Sequence, residues 1–468
     1  MASADAALLT SYGEVAIPQQ STSTRRWATV TLLLILGYLS MTRSFAYLGL
    51  PALGVGVPIY LGEIVFFAFV FLKGDVGIRR WFGSLVGNTP ITAISWAIYF
   101  FVFFGLFQVL RGVVLDGNDI IIALQNFVFN YYSLFFFLGL WIGQRRPDLL
   151  LRCIRMLAWI NGIYGVAWLL LLSRIPMTVP GSGVQLFGQP AGTYFAILGL
   201  LALERDLKKV RVPLLLCSFV LLALQIRAGW AAFIMGLLTW AIVARKFGRL
   251  AIGVASLALL LAISVVFDVK LPANERQNRG EISARNIAGA AIAPFDRDLA
   301  SQFTDQADRQ AGTTEWRQDW WAAIWQSVHE EPVRTVIGHG YGYTLSNLVP
   351  FAEGRTDLRT PHNFFFYALG YGGWLGVGLL VWMIFAICKL LWKTHQLTGN
   401  PFGLVFVGTA LGVASFGDFF ETPFGAIPFF LIVGLTAAPG VTQLGGARTK
   451  SVMPSDVVTL RSDETAGT

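Results

Sequence analysis

The chain has 468 residues, of which 55% are hydrophobic and 13% are charged, and its formal net charge is +8. Its mean hydropathy of +0.61 lies outside the range of ordinary soluble domains. These values exclude a soluble globular enzyme and predict an all-α polytopic membrane protein. The positive charge does not require nucleic acid, because membrane proteins carry excess Lys and Arg in their cytoplasmic loops.

Apolar runs of about 20 residues, each long enough to cross a ~30 Å hydrocarbon core, recur along the chain. They predict about twelve transmembrane helices, at approximately 27–48, 54–72, 90–110, 120–143, 152–173, 189–203, 212–226, 228–244, 249–267, 363–388, 401–417 and 423–439. Residues 1–24 lack the cationic start and cleavage site of a signal peptide, and they are predicted to form a cytoplasmic tail.

The distribution of Lys and Arg predicts the orientation. One set of alternate connections holds 21 of the 35 basic residues, whereas each opposite short connection holds one. Both termini are therefore expected in the cytoplasm. Residues 25–267 would form the first nine helices, 268–361 a large outward loop with amphipathic helices, 362–439 the last three helices, and 440–468 a disordered tail.

Four isolated arginines on the outward side break this charge bias: Arg43, Arg111, Arg174 and Arg227. A charge at the hydrocarbon edge is costly, and a planar guanidinium suits phosphate oxygens, so these residues are candidates for binding a phosphate-bearing headgroup. The alternative is contact with ordinary lipid phosphates. Arg227 is the first choice, because the connection around it is very short. Glu63 is expected to form an ion pair with Arg43.

Within the loop, the segment TTEWRQDWWAAIWQSVHEEP predicts an amphipathic helix with Thr313 or Thr314 as its N-cap and with Pro332 enforcing its end. Four tryptophans in ten residues favour a helix at the membrane interface, with a helix that caps the bundle as the alternative. Arg317 lies at its polar side. The apolar face comprises Trp316, Trp320, Trp321, Ile324, Trp325 and Val328.

The run 338–342, Gly-His-Gly-Tyr-Gly, is expected to be a backbone turn that needs small residues, because no strand-turn-helix unit surrounds it. His362 follows Pro361 at the start of the tenth predicted helix. An imidazole exchanges protons near neutral pH, so His362 is a candidate general base, with a helix cap or an interfacial anchor as alternatives. Asp418 and Glu421 are alternative bases or glycan-binding groups. The three cysteines lie in or at the cytoplasmic ends of predicted helices and indicate neither a disulfide nor a metal cluster.

The segment from Arg317 to Gly376 resembles the O-antigen ligase and Wzy-type polymerase family of bacterial envelope glycosyltransferases. The shared features, in order, are an Arg in a Trp-rich helix, Pro332, the Gly338–Gly342 run, His362-Asn363, Gly373 and Gly376. The chain departs from the family at Tyr371, where an acidic residue is frequent. Arg227 in Ile-Arg-Ala-Gly is similar to a second family motif.

The resemblance implies a glycosyltransferase related to the GT-C type in the bacterial inner membrane, with its active site facing the periplasm and with no metal, nucleotide or other cofactor. Its expected partners are an undecaprenyl-diphosphate-linked glycan, an acceptor glycan or lipid, membrane lipids and a chain-length regulator, but no nucleic acid. In this scheme the diphosphate would be bound by Arg227, Arg317 and Arg174, and the acceptor hydroxyl would be activated by His362 with help from Asn363. The Trp-rich helix would form a lid.

The large loop favours a polymerase of O-antigen or exopolysaccharide, and a ligase that transfers glycan to lipid A-core is the alternative. A lipid-linked oligosaccharide flippase or transporter is a further alternative from another class. No repeat of two similar six-helix halves is apparent in the sequence, which disfavours it.

Overall fold

The computed structural model describes residues 22–48, 60–87, 89–179, 183–248, 250–251, 254–255, 270–271, 282–350 and 360–451. These residues are almost entirely helical, which confirms the predicted all-α class. The two short strands described are β1 (Lys270–Leu271) and β2 (Ile282–Ser283), which pair in antiparallel orientation.

Before the long loop, the helices follow the apolar runs closely. They are α1 (Thr22–Met41), α2 (Arg43–Tyr47), α3 (Leu61–Val86), α4 (Thr92–Leu110), α5 (Ile120–Tyr131), α6 (Phe135–Gly143), α7 (Leu149–Leu170), α8 (Thr193–Leu203), α9 (Arg211–Ala223) and α10 (Arg227–Val243). A π-helical turn at Arg111–Leu115 extends α4, and a 3₁₀ turn at Tyr132–Leu134 joins α5 to α6.

The loop itself contains helices over much of its length. It forms α11 (Ala284–Ile292), α12 (Arg297–Ser301), α13 (Ala307–His329) and α14 (Pro332–Ile337), and the chain then continues as α15 (Phe364–Thr398), α16 (Phe402–Ala414) and α17 (Pro423–Ser451).

Five helical stretches of the described residues are long and apolar enough to cross a membrane: Thr92–Leu115, Ile120–Gly143, Leu149–Leu170, Phe364–Thr398 and Pro423–Gly445. Shorter apolar helices include α8, α10 and α16. Most of the ninth predicted run, 249–267, lies outside the described residues. The number of twelve spans, the cytoplasmic termini and the outward position of the loop stay predictions.

Aromatic packing fixes the turn between α16 and α17. The Phe420 and Phe429 rings lie 4.9 Å apart at 78°, and Phe429 stacks on Phe406 at 5.8 Å. All three side chains are almost fully buried, and aromatic pairs of this kind contribute about 0.5–1.5 kcal/mol each beyond simple burial. Residues 415–422 are therefore held against the bundle by rigid side chains on both flanking helices.

The Gly-rich run inserts into a kink of α15. Gly338 has a φ of 67° and Gly373, inside α15, has a φ of 59°, a left-handed region that strongly favours glycine. A Cβ on Gly338 would lie 2.4 Å from the carbonyl carbon of Tyr371. Arg111 donates to the carbonyl oxygens of Ile337 and Gly338 at 2.8 and 2.9 Å. The predicted backbone turn is confirmed.

The Trp-rich helix starts earlier than predicted. Because α13 begins at Ala307 after the N-cap Gln306, the prediction of an N-cap at Thr313 or Thr314 is wrong. Residues 307–312 include strong helix formers, and Asp308 in the first turn suits the positive end of the helix dipole. Pro332 does not simply stop the helix but begins α14.

One face of α13 packs on the bundle. Trp320, Ile324 and Val328 are fully buried, whereas Trp325 is 43% exposed. The buried side chains recur every four residues, as expected for the apolar face of a helix. This face agrees with the alternative of a helix that caps the bundle.

Candidate active site

Two polar side chains connect the start of α15 and the middle of α13 to the end of α16. Asn363 Nδ2 donates to the carbonyl oxygen of Ser415 at 2.9 Å. Arg317 Nη1 donates to the carbonyl oxygen of Phe416 at 3.0 Å. Three segments that are far apart in sequence therefore meet at one place.

Arg227 joins the same place from the start of α10. Its guanidinium donates to the hydroxyl of Thr314 at 3.3 Å and to the hydroxyl of Thr313. The two threonines that the sequence suggested as helix caps are thus partners of an arginine. Since Ile226 at the N-cap has no side-chain acceptor, the first turn of α10 adds uncapped N–H groups and the positive end of its dipole.

His362 and Asp418 contact each other in the same region. His362 Nδ1 lies 2.8 Å from Asp418 Oδ1, and the hydroxyl of Thr360 donates to the same oxygen. A carboxylate beside Nδ1 favours the tautomer with the proton on Nδ1, which leaves Nε2 able to accept a proton. The ring edge of Trp316 packs on His362, with centroids 5.7 Å apart at 76°.

The backbone at His362 is held in an uncommon conformation. Its φ is 52°, a conformation that costs a residue other than glycine about 1–3 kcal/mol and persists only where surrounding contacts impose it. Trp321 Nε1 donates to the Pro361 carbonyl oxygen at 2.7 Å, and Asn363 Oδ1 caps α15 by accepting from the Phe365 N–H at 2.9 Å. These bonds on both sides of His362 fix its orientation.

The arginines give the region a locally positive character. Burial lowers the pKa of Arg317, nearby positive Arg227 lowers it further, and Asp418 acts in the opposite direction. The Nε atom of Arg317 is buried and has no hydrogen-bond partner among the residues that the structure describes. An anion such as a diphosphate would offset the repulsion between the two guanidinium groups. It would also accept a hydrogen bond from the Arg317 Nε–H.

Glu421 behaves differently from Asp418, although both follow α16. Its side chain is 6% exposed, and its Oε2 accepts the Phe419 N–H at 3.0 Å. Burial, and then the charge of Asp418, raise the pKa of Glu421 to about 8. At neutral pH Glu421 is therefore mainly protonated, and the carboxylate that contacts His362 is that of Asp418.

Three other predicted arginines lie elsewhere. Arg111 holds the Gly338 backbone, Arg43 lies over the Tyr47 ring at 5.7 Å, and Arg174 is exposed at the end of the 3₁₀ turn Leu172–Arg174. The structure does not bring these side chains to the contacts around His362.

The expectation that Glu63 pairs with Arg43 is wrong. Glu63 Oε1 accepts the hydroxyls of Tyr131 and Tyr132 at 2.6 and 2.7 Å. Its second oxygen accepts the Tyr60 N–H. Tyrosine hydroxyls and a backbone N–H satisfy this carboxylate inside the bundle without an arginine.

The four predicted lid tryptophans divide into two pairs. Trp316 and Trp321 touch His362 and Pro361, whereas Trp320 donates to the buried carbonyl oxygen of Leu345 at 2.9 Å. Trp325 packs against His329 on the exposed side of α13. Only the first pair borders the candidate site.

Sequence reasoning missed three contributors, Thr313, Thr314 and Thr360. The two adjacent threonines carried a signal, but it was interpreted as a helix cap. Thr360 lies two residues before His362, and its hydroxyl forms a hydrogen bond with Asp418, which is 58 positions away in sequence. Within the part of the chain that the structure describes, no group of three or more His, Cys, Asp or Glu side chains is arranged to hold a metal ion.

Fold and site together define a multi-pass membrane protein with a positively charged, His-containing site where several helix ends meet. Residues 212–383 match a family model described as O-Antigen ligase. This match includes Arg227, Arg317 and His362, whereas Asp418 and Glu421 lie beyond it. The resemblance to the O-antigen ligase and Wzy-type family is confirmed. A comparison with curated proteins gave no match.

Proposed function

We propose that this protein is a membrane glycosyltransferase that moves a glycan from undecaprenyl diphosphate to an acceptor hydroxyl. The observation that carries the proposal is that Arg317 lies close enough to Arg227 and to Asp418 to feel the charge of both, while Asp418 contacts His362. The two arginines suit a diphosphate leaving group, and the His362–Asp418 contact suits proton removal from a hydroxyl. The matched family supports a lipid-linked glycan and an acceptor as substrates.

In the proposed reaction, the acceptor oxygen attacks the anomeric carbon of the glycan. A new glycosidic bond forms, the bond from the anomeric carbon to the diphosphate oxygen breaks, and Nε2 of His362 takes the acceptor proton. Asp418 stabilises the resulting imidazolium through Nδ1. The proton then leaves to solvent or to the released diphosphate, which restores His362.

Negative charge develops on the departing diphosphate, and the two arginines are placed to stabilise it. Preorganised donors of this kind contribute about 10²- to 10³-fold each in rate. In this proposal Arg227 and Arg317 take the role that a divalent cation has in many soluble transferases. The unused Nε of Arg317 would bond to an oxygen of the same diphosphate.

The proposal places the protein in the bacterial inner membrane with the site facing the periplasm. The lipid would enter sideways from the bilayer while the glycan stays in water. Trp316 and Trp321 on α13 would border the glycan-bearing end of the donor, since they touch His362 and Pro361.

The same chemistry serves a ligase and a polymerase, which differ in the acceptor. The description of the family model favours a ligase, whereas the large loop favours a polymerase. The test is transfer by the purified protein in lipid nanodiscs, with a synthetic undecaprenyl-diphosphate glycan as donor. The two acceptors are lipid A-core and a second lipid-linked repeat.

Transfer to lipid A-core alone would identify a ligase, and elongation of the lipid-linked repeat would identify a polymerase. His362→Ala is expected to abolish either product, whereas the control His329→Ala, on the exposed end of α13, is expected to retain it. A glycan that stays on the donor lipid with every acceptor would contradict the proposal.

A further inference from the structure

A chain of buried polar side chains links the first part of the loop to the turn before Arg227. Asn286 Nδ2, on α11, donates to Gln225 Oε1 at 3.3 Å. The hydroxyl of Thr304 in turn donates to Asn286 Oδ1. Gln225, Asn286 and Thr304 are 7%, 6% and 8% exposed. Because a buried polar group is costly when its hydrogen bond is lost, these hydrogen bonds fix the three side chains relative to one another.

The turn that Gln225 occupies is short and strained. Gln225 has a φ of 50°, and it lies between the buried Leu224, at the end of α9, and Ile226, the N-cap of α10. A positive φ at a residue other than glycine persists only where surrounding contacts impose it. Arg227 is the first residue of α10, so the conformation of Gln225 sets the direction in which the arginine leaves the turn.

The segment that carries Asn286 is packed firmly on α13. Ala293 directly after α11, Ala300 in α12 and Ala307 at the start of α13 form a small buried cluster. At Gly289 a Cβ would lie 2.4 Å from Thr304 Cγ2, which shows how closely α11 approaches the connection to α13. Helix α13 also supplies Thr313, whose hydroxyl accepts from Arg227. The arginine is thus held from both sides by one packed unit.

We propose that Asn286 is a positioning residue for the transfer reaction. By its bond to Gln225 it fixes the turn before α10, so that Arg227 faces the donor diphosphate. This gives residues 283–304 a role as a support for the diphosphate site. The inference rests on the proposed function, because the diphosphate is the ligand that Arg227 would hold.

The test compares Asn286→Ala and Asn286→Asp with the wild-type protein. The aspartate keeps an acceptor for Thr304 but cannot donate to Gln225. Asn161→Ala is the matched control: Asn161 is a fully buried amide on α7 that donates to Ser40 Oγ at 3.0 Å. The ligand probe is inorganic diphosphate, whose affinity is measured by calorimetry, and amide hydrogen exchange is followed at residues 226–231.

Both Asn286 variants are expected to bind diphosphate about tenfold more weakly, equivalent to the loss of one hydrogen bond to a charged group. Exchange at the first turn of α10 is expected to accelerate in both. Asn161→Ala is expected to lower thermal stability without either change. If Asn286 had only a structural role, its variants would behave like Asn161→Ala, with lower thermal stability but unchanged diphosphate affinity and unchanged exchange at α10.

The two levels of the proposal fail in different ways. If both Asn286 variants bind diphosphate as tightly as the wild type, with unchanged exchange at α10, the positioning role is wrong even where the wild type transfers glycan. If the wild type transfers no glycan to any acceptor, the proposed function is wrong, whatever the exchange data show at α10.

Discussion

His362 has a left-handed backbone conformation and lies 2.8 Å from Asp418. The sequence singled out both residues, but as rival candidates for the same role. The structure instead brings them into contact, and the proposed mechanism gives them different tasks. That contact could not be foreseen, because 56 positions separate the two residues and no local periodicity relates the start of α15 to the turn after α16.

Replacing Asp418 tests the partnership directly. Asp418→Asn keeps the size of the side chain but removes the charge that stabilises a protonated His362. We expect kcat for glycan transfer to fall about 10²- to 10⁴-fold, the range for loss of acid-base assistance. The KM for donor is expected to change little. Asp298→Asn, on the exposed surface of α12, is the control, and an undiminished kcat in Asp418→Asn would contradict the assigned role.

Glu421 leads to a prediction about stability and pH. Its pKa is about 8 in the folded protein against 4.5 for an ordinary glutamate, so between these values the folded state holds a proton that the unfolded chain has released. Stability is therefore expected to fall as pH rises from about 5 to 8. Glu421→Gln should remove this component.

The measurement is the thermal unfolding midpoint in detergent between pH 5 and pH 9. The variant is expected to lose less stability than the wild type over this interval, and Glu315→Gln, at an exposed position of α13, is expected to follow the wild type. Identical pH profiles for the wild type and Glu421→Gln would show that Glu421 is not the responsible group.

Helix α13 shows what periodicity can and cannot predict at the level of an element. Its apolar face was evident from the spacing of Trp320, Ile324 and Val328, because burial repeats with the helical period. The predicted N-cap, Thr313, lies seven residues after the observed N-cap, Gln306, because the Thr313 hydroxyl is a partner of Arg227 and not a helix cap. When a side chain has several possible hydrogen-bond partners, its role cannot be predicted without knowledge of the tertiary contacts.

The glycine run and the kink of α15 form a second element-level feature. In Gly338→Ala a Cβ would meet the Tyr371 backbone at a positive φ, so we expect a loss of about 1–3 kcal/mol in stability. Gly378→Ala is the matched control: Gly378 lies in α15, the helix into whose kink the Gly338 segment inserts, and the space around its Cβ position is open. Thermal unfolding of both variants checks this, and equal midpoints would contradict the strain at Gly338.

At the scale of the whole molecule, the sequence predicted most helices well, because a bilayer-length apolar run is a local signal. The described helices overlap the predicted runs, although α3 continues to Val86 where the predicted run ends at residue 72. Most of the run 249–267 lies outside the described residues. The convergence of α10, α13, α15 and the turn after α16 was suggested only by the prediction that they share the outward side. Its contacts depend on packing that no single segment encodes.

In the proposed mechanism these converging ends form one transfer centre, in which arginines bind the diphosphate and His362 accepts the proton. Its most direct test is a single-turnover assay that quantifies released undecaprenyl diphosphate and transferred glycan together. For the wild type we predict equal amounts of both products. Arg227→Ala and Arg317→Ala are expected to slow both about 10²- to 10³-fold, with Arg174→Ala close to the wild type. Unchanged single-turnover rates in Arg227→Ala and Arg317→Ala would contradict this mechanism.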